Sequence, residues 1–202
     1  MTTGSDLRFS CSCGEVEGRL LNAGPREGDH IVCHCSDCQG FARYLGAAER
    51  VLDGSGGTAL FQSRCARMRL SKGRDRLASL HLTDKPTLRW YATCCRTPMF
   101  NTYANGRIPY VTTLVANCNA ERRDDVLGPV IGHLFTEDAG RDVGDVPRMS
   151  MAKLMRRFFR RMVRDMISGD RRRSALFDAA TLEPIAAPHR LTPDERQALA
   201  GD

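Results

Sequence analysis

Seven of the nine cysteines in this chain fall into three tight clusters. Cys11 and Cys13 form CSCG, Cys33, Cys35 and Cys38 form CHCSDC, and Cys94 and Cys95 adjoin in WYATCCRTP. Thiolates two or three residues apart on a tight turn can converge on one point, which is how zinc is gripped, at roughly 2.3 Å from each sulfur. Four protein ligands make a closed, structural site, and three leave a position for water or substrate. On an extended strand, residues i and i+2 share a face, so Cys11 and Cys13 can address one metal without a knuckle loop. Cys33 and Cys35 share a face in the same way, and a turn through Ser36 and Asp37 brings Cys38 round. A fourth ligand for that cluster must come from elsewhere or from solvent.

Short strands must carry these clusters. Residues 7–20 read as a hairpin, with Leu7, Phe9 and Cys11 alternating on one arm, Val16, Gly18 and Leu20 on the other, and Gly14 at the turn. HIVCH at 30–34 reads as a strand delivering CHCSDC. Ser36 to Leu45 reads as a short helix with Ser36 as N-cap and Phe41, Tyr44 and Leu45 on one face. Further strands are predicted at 58–63, 66–70, 77–82 and 87–93, a turn at 71–75, and two more strands in MFNTY and IPYVTTLV. That spacing predicts an antiparallel sheet or open barrel. Residues 1–135 are therefore read as a mainly β, zinc-binding domain, and 136–202 as a linker and basic helical extension.

Composition sets outer limits. The chain has 202 residues and 42% hydrophobic content, enough for a core. No stretch approaches the roughly 18 apolar residues of a membrane span. MTTGSDLRFS has neither a basic start nor an apolar run, so no signal peptide is expected, and cysteine-rich without a leader reads as metal binding in the cytoplasm. The net charge of +6 is local: residues 148–173 hold ten Lys or Arg against two Asp, leaving the remainder with 20 basic and 22 acidic residues.

The order of the clusters resembles the glutathione-dependent formaldehyde-activating enzyme family, to which centromere-protein-V-like proteins also belong. The likeness covers roughly residues 7–105. It implies a β-tent fold, a structural zinc on the first and last clusters, and a second, open zinc on Cys33, Cys35 and Cys38, the catalytic set. In such enzymes that zinc helps join or break a bond between the glutathione sulfur and formaldehyde. The last cluster of the family reads aromatic-C-x-x-C-G-T-P. Here Ala92 stands at its first cysteine, Arg96 at its glycine, and Cys94 is extra. Three arrangements stay open. Cys94 and Cys95 could both join Cys11 and Cys13, which needs a turn because neighbours on a strand face oppositely. Cys95 could serve the first zinc while Cys94 closes the second. The first zinc could also be absent or three-coordinate.

An open zinc would hold a thiol as thiolate and polarise a carbonyl, chemistry suited to a thiol adding to an aldehyde. A glutathione-like ligand has two carboxylates, for which Arg43 and Arg96 are the candidate forks, against the plainer reading of solvated surface arginines. The expected ligand is a small thiol adduct. His34, between two ligands, is expected to point off their face; Asp37 to cap the turn; Cys65, Cys118 and Trp90 to fill the core. The helix MSMAKLMRRFFRRMVRDMI is expected to pack its apolar stripe on the domain with its basic face in water. Nucleic acid, an anionic membrane through 148–173, and a homodimer contact through Phe158 and Phe159 are lesser expectations. In the tail, Thr192, Pro193 and Glu195 form a capping box.

Overall fold

The computed structural model describes residues 5–198. It is mainly β, with two sheets and a few helices. The strands are β1 (Ser5–Ser10), β2 (Glu17–Ala23), β3 (Asp29–Cys33), β4 (Thr58–Arg64), β5 (Met68–Lys72), β6 (Leu77–His81), β7 (Thr87–Ala92), β8 (Thr97–Tyr103), β9 (Tyr110–Leu114), β10 (His133–Leu134) and β11 (His189–Arg190). The helices are α1 (Ser36–Tyr44), α2 (Ala48–Val51), α3 (Ala120–Leu127), α4 (Met151–Ser168) and α5 (Pro193–Ala198). A three-stranded sheet runs β1-β2-β5, and an eight-stranded sheet runs β10-β3-β4-β9-β8-β7-β6-β11. Pairing is antiparallel except at the edges, where β10 joins β3 and β11 joins β6 in parallel. These two edge strands of two residues each escaped the sequence reading, because alternation cannot register over so short a run.

The alternation does set the faces. Leu7 and Phe9 of β1 are buried with Leu20 of β2, and Gly14 turns the hairpin at φ 74°. Leu88 and Trp90 of β7 face the main core, which Phe61, Met99 and Phe100 share with Leu176 and Phe177 from beyond α4. Trp90 donates Nε1–H to Thr102 Oγ1 at 2.8 Å, so its one polar atom is satisfied in the interior. Cys65 and Cys118 are buried as expected. A second core joins Ile31, Leu60, Leu114 and Leu134 to Cys33, Cys38 and Leu154.

Three details differ from expectation. Cys35, not Ser36, is the N-cap of α1, and the Ser36 N–H is taken by Asp138 Oδ2 at 3.2 Å, a partner too distant in sequence to foresee. β5 begins at Met68, because a 3-10 turn occupies Cys65–Arg67. The third difference is the orientation of α4. Leu154 and Phe158 face inward, but part of the basic face also turns to the domain: Arg157 and Arg161 both bind the buried Asp29. Arg64, bonded to Glu27 at 2.7 Å, also holds Asp165 of α4. Buried carboxylates demand cationic partners, and this requirement outweighs the simple apolar-inward rule. Among the described residues no helix is long and apolar enough to cross a membrane.

Candidate metal centres

The cysteines assemble into two separate groups. Cys11, Cys13, Cys94 and Cys95 form one, and Cys33, Cys35 and Cys38 the other; within each, the sulfurs lie within 4.8 Å of one another. Four sulfurs placed tetrahedrally about 2.3 Å from one ion stand about 3.8 Å apart. In the first group the separations are 3.6 Å for Cys11–Cys13, 3.9 Å for Cys11–Cys94, 3.3 Å for Cys13–Cys94 and 3.8 Å for Cys94–Cys95. Donor type, number and spacing fit zinc.

The first group is a clasp between two turns. Cys11 directly follows β1, and Gly14 N–H returns to its carbonyl at 3.1 Å, carrying Cys13 round to the same side. β7 stops at Ala92 and β8 starts at Thr97. Between them Arg96 adopts φ 52°, so adjacent Cys94 and Cys95 escape the opposed geometry of a strand. Of the three arrangements left open by the sequence, this geometry is the four-sulfur one. Ser12 N–H donates to Thr97 Oγ1 at 3.1 Å, stitching the two turns beside the sulfurs. Cys95 is opposed by burial, but hydrogen bonds from the Thr97 hydroxyl and from Cys13 bring its thiol down to about 6. Cys13 and Cys94 are exposed.

The second group lies where β3 runs into α1. Cys33 ends the strand, Cys35 caps the helix, and Cys38 occupies its first turn, with Cys33 and Cys35 sulfurs 3.3 Å apart. Cys94 does not reach it. Arg89 of β7 does: its buried guanidinium donates to Cys38 Sγ at 3.3 Å and to Asn101 Oδ1 at 3.0 Å, and lies 5.8 Å over the Phe41 ring. Cys38 is held well below the ordinary thiol value, by hydrogen bonds from Cys33 and Cys35 and then by Arg89, against burial. Cys33 is pushed far up by its bonds to the other two thiols and by burial. Three thiolates so close need positive charge to coexist, which a divalent ion beside Arg89 would provide.

The sequence reading missed Arg89. Its signal was present: in TLRWYA, a lone cation alternates with the core residues Leu88 and Trp90, so it had to face a charged partner on the other side. Asp37 does not simply cap a turn; its carboxylate meets Lys85 Nζ at 2.9 Å and lies 4.0 Å from Arg89. His34 points off the sulfur face, fully buried, with Nε2 3.0 Å from His133 Nδ1.

Arg43 and Arg96 are exposed and line one groove of about 640 Å³ with Arg50, Ser12 and Cys95. That groove adjoins the four-sulfur clasp and includes none of Cys33, Cys35 or Cys38. Arg43 bonds Gln39 Oε1 at 3.1 Å; Arg96 donates to the Tyr44 carbonyl at 2.6 Å and stacks on its ring at 5.6 Å.

Residues 5–187 match the family described as "Family of unknown function (DUF6151)". The chain belongs to DUF6151. No curated protein matches it. A crystal structure of a Rhodobacter sphaeroides protein is similar at 18% identity, covering 70% of this chain and 99% of that one, with a TM-score of 0.39. The finer likeness of this DUF6151 member to formaldehyde-activating enzymes rests on its three cysteine clusters alone.

Proposed function

We propose that this protein holds two zinc ions, a closed structural one on Cys11, Cys13, Cys94 and Cys95 and an open one on Cys33, Cys35 and Cys38 that acts on a small thiol adduct, as a carbon–sulfur lyase does. The observation that carries this reading is the division of the sulfurs, four to one group and three to the other, with Cys94 committed to the four. Zinc on three thiolates keeps a position in which a substrate thiol is held as thiolate and a carbonyl is polarised. The residues around it support such use. Arg89 offsets one thiolate charge, and Cys35 stands at the N-cap of α1, where the positive end of the helix dipole favours anionic sulfur. Glutathione, or a related thiol, is the substrate class that the motif resemblance suggests.

The test is turnover of S-hydroxymethylglutathione by zinc-loaded protein beside Cys35→Ser. Wild-type turnover above that of the variant supports the reading. Equal rates remove it. A second reading, a structural zinc module without catalysis, is favoured by one observation. The space beside Cys38, between Phe41, Ala42, Arg89 and Asn101, leaves no room for a water, and the arginine groove lies at the other cluster. Cobalt-substituted protein separates the two: a ligand-field spectrum that changes on adding glutathione means an open position, and an unchanged one means a closed site.

A further inference from the structure

α4 leaves one apolar face largely uncovered. Leu154 and Phe158 are buried, and Phe158 packs edge-on against Tyr110 at 5.3 Å. The rest of the stripe turns outward: Phe159, Val163 and Met166 are each 49% exposed and Ile167 is 83% exposed, with Met155 and Met162 half-buried beside them. These positions recur every three or four residues, so they form one face along a helix about 27 Å long. A monomeric soluble surface rarely keeps so continuous an apolar strip without an occupant.

The charge around that face identifies the occupant. Lys153, Arg156, Arg160 and Arg164 are exposed on the same helix. Its single acid, Asp165, is buried against Arg64 and offers nothing to solvent. Arg157 and Arg161 are neutralised by Asp29, but Lys153, Arg156 and Arg160 have no ion-pair partner among the described residues. The outward surface of α4 is thus apolar along one side and purely cationic along the other. Two copies docked through it would bring these cations together with no exposed acid on either helix to offset them. Nucleic acid would engage the arginines and leave Phe159, Val163, Met166 and Ile167 in water.

We propose that α4 is an interfacial helix that seats this protein on an anionic phospholipid surface. Phe159, Val163, Met166 and Ile167 enter the boundary between headgroups and acyl chains, while Lys153, Arg156 and Arg160 meet the phosphates and carboxylates. The ion pairs of Arg157 and Arg161 with Asp29 fix the helix to the domain, so the apolar face is presented already oriented.

The test is sedimentation of the full zinc-loaded chain with vesicles of phosphatidylcholine mixed with phosphatidylserine, beside vesicles of phosphatidylcholine alone. Binding to the mixed vesicles, weakening as salt rises, is expected. Replacing Arg156 and Arg160 together by Gln should weaken it by about fivefold for each charge removed. A Phe159→Asp, Ile167→Asp variant should lose it by about tenfold or more, while its melting temperature stays near wild type because both side chains are already exposed. Three results overturn the proposal: no binding to either vesicle, binding unchanged in the double-Asp variant, or a dimer in sedimentation velocity that this variant converts to monomer.

Discussion

The two cysteine groups are built on opposite plans. The four-sulfur group joins two surface turns, has two exposed cysteines, and takes its positions from backbone geometry at Gly14 and Arg96. The three-sulfur group lies in the second core, at a strand–helix junction, and its charge is met by the buried Arg89. A metal on the first arrangement would add a crosslink between two turns that otherwise meet through the Ser12–Thr97 hydrogen bonds. The second is embedded in a fold that β3–β4 pairing already holds, so a metal there would be less needed for folding.

The largest effect should follow from breaking the crosslink. A structural zinc contributes on the order of 10 kcal/mol. Cys95→Ser should therefore drop the melting temperature far more than Cys35→Ser, while each leaves one zinc per chain by elemental analysis. The reverse order of melting temperatures would mean that the buried group is the structural one. Chelator challenge sharpens the contrast in time: the group with exposed Cys13 and Cys94 should surrender its metal first.

Removing Arg89 strikes only the buried group. Arg89→Met should cost about 3–5 kcal/mol in denaturant unfolding, the usual range for breaking a buried charge pair. It should also change the response to acid. Cys38 is depressed in the folded protein, so its thiolate contributes stability that is present above the unfolded thiol value and lost as pH falls through the lower folded one. Without the Arg89 cation that loss moves to higher pH. Zinc release from this group, followed by a colorimetric chelator, should then begin at a higher pH, while release from the four-sulfur group stays where it was. A shift in both groups would mean that Arg89 acts through the general fold.

These contrasts show what the sequence made legible. Cysteine spacing identified all seven clustered sulfurs, because metal ligation constrains neighbours only two or three residues apart. The β character and the hairpin at Gly14 followed from alternation. The distribution of Cys94 and Cys95 did not, since it depends on the left-handed conformation of Arg96, which residue type argues against. Arg43 and Arg96 were placed near CHCSDC by sequence proximity and by motif. In space, nine residues of α1 carry the chain away from the three sulfurs toward the clasp. The orientation of α4 depended on Asp29 and Asp165, whose partners lie more than a hundred residues away in sequence.

The smallest test concerns Arg96 itself. A non-glycine residue at φ 52° costs roughly 1–2 kcal/mol. The Arg96 side chain offsets part of this by its bond to the Tyr44 carbonyl and by stacking on that ring, contacts worth on the order of 1 kcal/mol at an exposed site. Arg96→Gly loses the contacts and relieves the strain, so its stability should stay within about 1 kcal/mol of wild type. Arg96→Ala loses the contacts and keeps the strain, and should be the less stable of the two by about 1 kcal/mol. Zinc content should be two per chain in both. If alanine proved as stable as glycine, the turn that brings Cys94 and Cys95 to one side would be set by the sulfurs and their metal, and the backbone at Arg96 would merely follow.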